Sequence, residues 1–179
     1  MLKIRKATPS DAKIIAKINV DTWKVCYKGM LPDDFLENRN LTEDRIIAVE
    51  NKIKQEDTIY FVAETEGNVI GFCCGGYKRD KDYPFKYEIV AIYVLPSMQN
   101  KGAGKALLNE FKKAINNEPF YLYALKQNLK AHKFYQKNGG KELPVYEKIL
   151  PQKDFIVEEV LFAFNYESNL SINKSYLKW

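Results

Sequence analysis

The chain has one histidine, three cysteines and no long apolar run, and each scarcity removes a class of chemistry. A His-rich metal site cannot be built around His132 alone. A Ser–His–Asp triad would have to use that residue, and no GxSxG is present. Cys26, Cys73 and Cys74 are odd in number and form no CxxC pair, so they offer zinc no ligand spacing and suit a reduced, intracellular protein better than a disulfide scaffold. No apolar stretch reaches the roughly 18 residues of a membrane helix. The opening MLKIRKATPSDA lacks the continuous apolar core of a signal peptide, so a cytoplasmic location is expected, with no membrane partner. GxxxxGK[ST] is missing as well, which removes the Walker phosphate loop.

What is present suits one globular domain. The 179 residues are enough to bury a core, and no repeat or low-complexity linker divides them. The net charge of +5 is uneven. Residues 99–153 hold 11 lysines against 4 acidic residues, a net +7, which leaves −2 for the rest. An anionic partner near that half would explain the imbalance; so would a solvated lysine surface.

The hydrophobic pattern gives an element order. LKIRKA (2–7) alternates as an edge strand. Thr8, Pro9 and Asp11 form a helix-opening box, followed by Ile14, Ile15, Ile18 and Trp23 at helical spacing. Gly29 and Pro32 break the chain, and a helix restarts at Thr42. TIYFVAE and VIGFCCGGYK, joined by TEGN, read as a hairpin. KYEIVAIYVLP (86–96) is apolar on both faces and so central. QNKGAG (99–104) separates it from a helix carrying Leu107, Leu108, Phe111, Ala114 and Ile115 on one face. Then come strand PFYLYAL, a short helix from the cap Asn128 to Gly139 or Gly140, and strands near 141–148 and 155–165. The class is α+β: a central mixed, mostly antiparallel twisted sheet of about seven strands with helices on both faces. The domain is expected to span 1–167, with a tail at 168–179.

QNKGAG is the most informative stretch. A strand that feeds a glycine-rich turn into a helix start presents amides without intrahelical partners at the positive end of the helix dipole. Lys101 and Lys105 add charge. The dinucleotide fingerprint would need a third glycine at Leu107. The match is instead to Q/R-x-x-G-x-G/A, at Gln99, Gly102 and Gly104.

On these residues the chain resembles the GNAT superfamily of N-acetyltransferases. AIYVLPSMQNKGAGKALL resembles the family's central strand, loop and helix. LKQNLKAHKFYQKNGGK resembles its N-x-x-A-x-x-F-Y-x-K-x-G pattern at Asn128, Ala131, Phe134, Tyr135, Lys137 and Gly139. FVAETEGNVIGF and DTWKVCYKGMLPDDFL resemble its β2–β3 hairpin and α1–α2 segment, so the likeness covers about 2–165. Gly140 departs from it, because the family usually has Phe there.

The resemblance implies acetyl-CoA as cosubstrate, with its diphosphate on the backbone of Gln99, Asn100, Lys101, Gly102, Ala103, Gly104 and Lys105. It implies a pantetheine arm beside Ile92, Tyr93 and Val94, where the central strand splays from its neighbour. Asn128 would contact that arm or cap its helix, Ala131 would belong to the cofactor site, and Lys137 would meet the 3′-phosphate. Tyr135 is the implied general acid for the departing thiolate; an aromatic core role is the alternative. Glu88, a lone acid in an apolar strand, is the candidate base for the attacking ammonium, or an exposed strand-start residue. Trp23, Tyr27, Tyr77 and Tyr146 are candidates to line an unidentified amine acceptor, and no metal is expected. Cys73 and Cys74 have no obvious activating base, and the resemblance implies direct transfer in a ternary complex.

Two rival functions remain from sequence: an acyl-CoA sensor on the same fold without turnover, and a basic nucleic-acid-binding protein. No helix-turn-helix or RNP-type motif favours the second. Strand exchange or sheet-edge pairing could make a homodimer.

Overall fold

The computed structural model describes residues 1–79, 84–149 and 156–166, with 144–149 as backbone. In chain order the elements are β1 (Lys3–Lys6), α1 (Ala12–Cys26), α2 (Asp33–Glu37), α3 (Glu43–Ile53), β2 (Thr58–Thr65), β3 (Asn68–Tyr77), β4 (Tyr87–Val94), α4 (Ala103–Ala114), β5 (Phe120–Leu125), α5 (Leu129–Lys137), β6 (Lys141–Ile149) and β7 (Ile156–Phe164). The seven strands form one open sheet in the order β1-β2-β3-β4-β5-β7-β6. The β1/β2, β2/β3, β5/β7 and β6/β7 ladders are antiparallel and β4/β5 is parallel. This is the α+β class expected. The tail at 168–179 lies outside the described residues.

The chain divides into two compact units, Met1–Gly76 with Val90–Asn116 and Tyr77–Ile89 with Asn117–Trp179. In the first, β1 is tied to its surroundings by Arg5. Its guanidinium meets both Asp11 oxygens at 2.7 and 2.8 Å and Glu64 Oε1 at 2.8 Å. Asp11 also accepts the Thr8 N–H at 2.7 Å, which closes the expected box at the entry to α1. From α1, Ile15 and Ile18 pack on Val62, Phe72 and Cys74. Period-2 alternation turns Phe61, Ala63 and Cys73 to the other face, equally buried. There α4, which buries Leu107, Leu108 and Phe111, packs against β2. The TEGN turn is a two-residue loop with Glu66 at φ 52° and Gly67 at φ 76°. Positive φ at both positions matches the right-handed twist of the flanking strands.

In the second unit, Phe120 on β5 stacks on its partner Phe164 on β7, with centroids 4.7 Å apart. Phe85, Tyr121, Leu161, Ala163 and Tyr166 form the adjoining core. Gly139, at φ 91°, ends α5, and Gly140 N–H donates to Tyr135 O at 2.9 Å. A Cβ on Gly140 would lie 2.8 Å from Phe164 Cζ and 3.0 Å from Tyr135 O. The space a side chain at 140 would need is thus taken by the ring of Phe164, a physical reason for the glycine.

Candidate active site

The stretch that follows β4 is shaped by its backbone. β4 ends at Val94, and Pro96–Met98 makes one 3₁₀ turn before the loop. Gln99 braces that junction: its Nε2 donates to Val94 O at 3.0 Å and lies 3.9 Å from Cys26 Sγ. Asn100 (φ 62°) and Gly102 (φ 89°) are left-handed, which asparagine tolerates and glycine adopts at no cost. Gly102 is the N-cap of α4 and no side chain caps the helix there. A Cβ at Gly102 would meet nothing within 4 Å. The first α4 bond runs from Ala106 N–H to Gly102 O at 3.0 Å. The amides before it therefore open the helix, with the dipole positive and exposed Lys101 and Lys105 flanking them. Ala103 is buried, so a small residue is what fits beneath. Such a cradle suits a diphosphate.

The strand leading into the loop is also informative. The β4–β5 ladder joins Tyr87, Glu88 and Ile89 to Phe120, Tyr121 and Leu122, the first three residues of each strand. Val90, just beyond it, is half exposed. Facing β3, a Cβ on Gly71 would lie 2.7 Å from Tyr93 O, so only glycine lets β3 approach here. The Tyr93 ring meets Phe72 edge-on, and its hydroxyl lies 3.0 Å from that of Tyr27.

Glu88 is buried rather than exposed at a strand start. Its carboxylate pairs with Arg79 Nε and accepts the Tyr121 hydroxyl at 3.0 Å. A carboxylate in an apolar strand needs such partners. Sequence reasoning did not single out Arg79 or Tyr121. Glu88 alone was visible there, as an acid in an apolar run.

Tyr135 is buried in an aromatic cluster, its ring centroid 5.4 Å from Phe134, 5.3 Å from Phe162 and 6.3 Å from Phe164. Asn128 caps α5: its Oδ1 accepts the Ala131 N–H at 3.1 Å. Lys137 is exposed in the last turn of that helix. His132 serves structure: its Nε2 lies 3.0 Å from Leu125 O, an acceptor only, so Nε2 carries the proton. Cys73 is fully buried, and burial pushes its thiol well above its ordinary pKa, which leaves it inert as a nucleophile.

Of the acceptor candidates, Trp23 in the last turn of α1 and Tyr27 just after it come together with ring centroids 4.9 Å apart, and Phe35 stands 6.3 Å from Trp23. Tyr77 belongs to the other unit, where it stacks on Tyr87 at 5.2 Å. The Tyr146 side chain lies outside what is described. The cluster gains one residue that the sequence did not suggest. The guanidinium carbon of Arg39 sits 3.8 Å over the Trp23 ring. Among the described residues no group of three or more His, Cys, Asp or Glu could hold a metal, and no helix is long and apolar enough to cross a membrane.

Comparison with known proteins follows the same lines. Residues 21–140 match the family model described as the acetyltransferase (GNAT) family. An uncharacterized N-acetyltransferase of Bacillus subtilis, YuaI, is 31% identical over 133 residues, 72% of this chain and 74% of that one. A spermidine N(1)-acetyltransferase of Thermoplasma acidophilum is 25% identical over 150 residues, 78% of this chain and 88% of that one. The crystal structure of a PaiA N-acetyltransferase from Thermoplasma acidophilum, solved with coenzyme A, superimposes with a TM-score of 0.73 at 23% identity, over 93% of this chain and 99% of that one. Sequence, fold and loop agree, and the chain belongs to the acetyltransferase (GNAT) family.

Proposed function

We propose that the protein moves an acetyl group from acetyl-CoA to a primary amine by direct transfer in a ternary complex. The observation that carries this reading is the uncapped start of α4, with Asn100 and Gly102 left-handed and open space before Gly102. The backbone of 99–105 would hold the diphosphate through amides, so side chains at Asn100 and Ala103 contribute little to it. The pantetheine arm would bond to the β4 backbone at Ile92, Tyr93 and Val94, which follow the residues laddered to β5. Gly71, by admitting β3 so close to Tyr93 O, would fix that segment. Asn128 and Ala131 would border the arm at the start of α5, and Lys137 would meet the 3′-phosphate.

The chemistry needs the nitrogen to lose two protons and the sulfur to gain one. The acceptor arrives as an ammonium and must lose a proton before its nitrogen attacks the thioester carbon. Glu88 would receive that proton through water, its carboxylate held in place by Arg79 and Tyr121. The new N–C bond forms as the C–S bond breaks, and coenzyme A leaves as a thiolate. Tyr135 would protonate it and regain a proton from the acylated nitrogen, and the products are the acetamide, the free thiol and one proton released to solvent. The inert thiol of Cys73 supports direct transfer over an acetyl-cysteine intermediate.

A second reading has an observation in its favour. The aromatic packing of Tyr135 is what a non-catalytic acyl-CoA sensor on this fold would also need. Tyr135→Phe separates the two, because it keeps the ring and removes only the proton. With an amine panel and acetyl-CoA, thiol release by the wild type and a fall of about 100-fold in kcat for the variant would support the acid role. No thiol release with any amine, beside intact acetyl-CoA binding, would favour the sensor.

A further inference from the structure

Arg39 follows α2 and lies half-buried on Trp23, with no acid paired to it among the described residues. The one side-chain hydrogen bond of Arg39 among the described residues runs from Nη2 to Asn19 Oδ1 at 2.7 Å, and its Nε is buried without an acceptor. Trp23 Nε1 is buried without an acceptor as well. Burial, reinforced by the nearby charge of Arg45, pulls the guanidinium down to about 10. A half-buried cation with no acid paired to it is costly for a fold to keep; its Nε is closed to solvent, so a ligand would meet the outer guanidinium nitrogens. An acceptor with negative charge is the partner that would offset that cost most fully. The walls around it are aromatic: Trp23, Tyr27 and Phe35. The cluster then runs through the Tyr27–Tyr93 hydroxyl pair to the segment assigned above to the thioester arm. A surface depression lined by Lys24, Lys28, Asp33, Leu36 and Glu37 opens on the same two helices, with both signs of charge.

We infer that the acceptor is a zwitterionic amino acid with an apolar side chain, its carboxylate bound by Arg39 on the face of Trp23. This rests on the transferase reading for its amine, but the carboxylate site stands on Arg39, Trp23 and Asn19 alone. A guanidinium is the group that matches a planar carboxylate, and the aromatic walls take the side chain. A polyamine brings no acceptor for these donors and places positive charge beside Arg39 and Arg45. The name of the 25% identical relative therefore does not pass to this chain.

The test uses the full chain with Trp179→Phe, which leaves Trp23 as the one indole. Coenzyme A is held saturating, so no turnover occurs. Trp23 emission is followed during titration with L-phenylalanine and L-methionine, and with phenethylamine and 3-(methylthio)propylamine, which lack only the carboxylate. Each amino acid is expected to bind at least about 30-fold tighter than its decarboxylated twin, the scale of a hydrogen bond to a charged group. Arg39→Gln should bring that ratio near one, and Arg39→Lys should restore part of it. The wild-type ratio decides the matter even if a variant folds poorly. Equal affinity within a pair, no saturable response to either amino acid, or tighter binding of spermidine would overturn the inference. Turnover of spermidine or phenethylamine without a carboxylate preference would sink the inference and leave the transferase reading intact. A carboxylate preference in a protein that binds no acetyl-CoA would do the reverse.

Discussion

The two sides of the first unit are built from different material. The proposed donor side, 99–105, is a contiguous run of backbone amides in which Asn100 and Gly102 are left-handed and exposed. The proposed acceptor side is a set of side chains, Asn19, Trp23, Tyr27, Phe35, Arg39 and Tyr93, gathered from two helices, a turn and a strand. A backbone cradle tolerates side-chain change and fails when φ is forced; a side-chain cluster does the opposite.

The contrast breaks most sharply at Gly102. Gly102→Val meets open space, so bulk is not the difficulty, but a branched residue at φ 89° is strained. Acetyl-CoA affinity should fall roughly 100-fold, or about 3 kcal/mol, with the melting temperature little changed. An unchanged Kd would mean the loop conformation is not what binds.

Next in size is Asp11, which anchors the start of the helix carrying Trp23 and Tyr27. Arg5 hydrogen bonding holds its carboxyl down from 3.8 to about 2. A depressed acid stabilises the fold fully above its unfolded pKa and loses that contribution as pH falls through the folded value, so the window is about pH 4 to 2. Asp11→Asn should remove about 2 kcal/mol at neutral pH and flatten the acid limb of the stability curve, read by denaturant titration at several pH values. An acid limb as steep as the wild type's would show that Asp11 is not the group responsible.

The smallest effect belongs to a donor-side side chain. Lys101 is exposed, and Lys101→Ala should weaken acetyl-CoA binding by only about 3-fold, less at high salt. A loss near that of Gly102→Val would erase the distinction between the two sides.

The same difference explains what could be read in advance. QNKGAG, TEGN and the Asn128 cap are local: each needs a backbone state that a few neighbouring residues dictate, and each formed as its sequence suggested. Element order followed because hydrophobic period and glycine placement agree along the chain. Arg39 was silent, since its meaning depends on Asn19, 20 residues earlier, meeting it through tertiary packing. Glu88 was half legible. Its oddity in an apolar strand was plain, but Tyr121, 33 residues on, is reached only through the β4–β5 register. Gly140 was legible as a departure from the family, and its cause, the ring of Phe164, was not.

The most direct test is calorimetric titration of acetyl-CoA into the wild type and Gly104→Asp. A carboxylate at the second position of α4 would oppose the diphosphate without touching the acceptor cluster. Micromolar binding by the wild type, lost in a variant that melts normally, is the predicted result. Equal binding by both proteins, or none by the wild type, would contradict the placement of the cosubstrate on the start of α4.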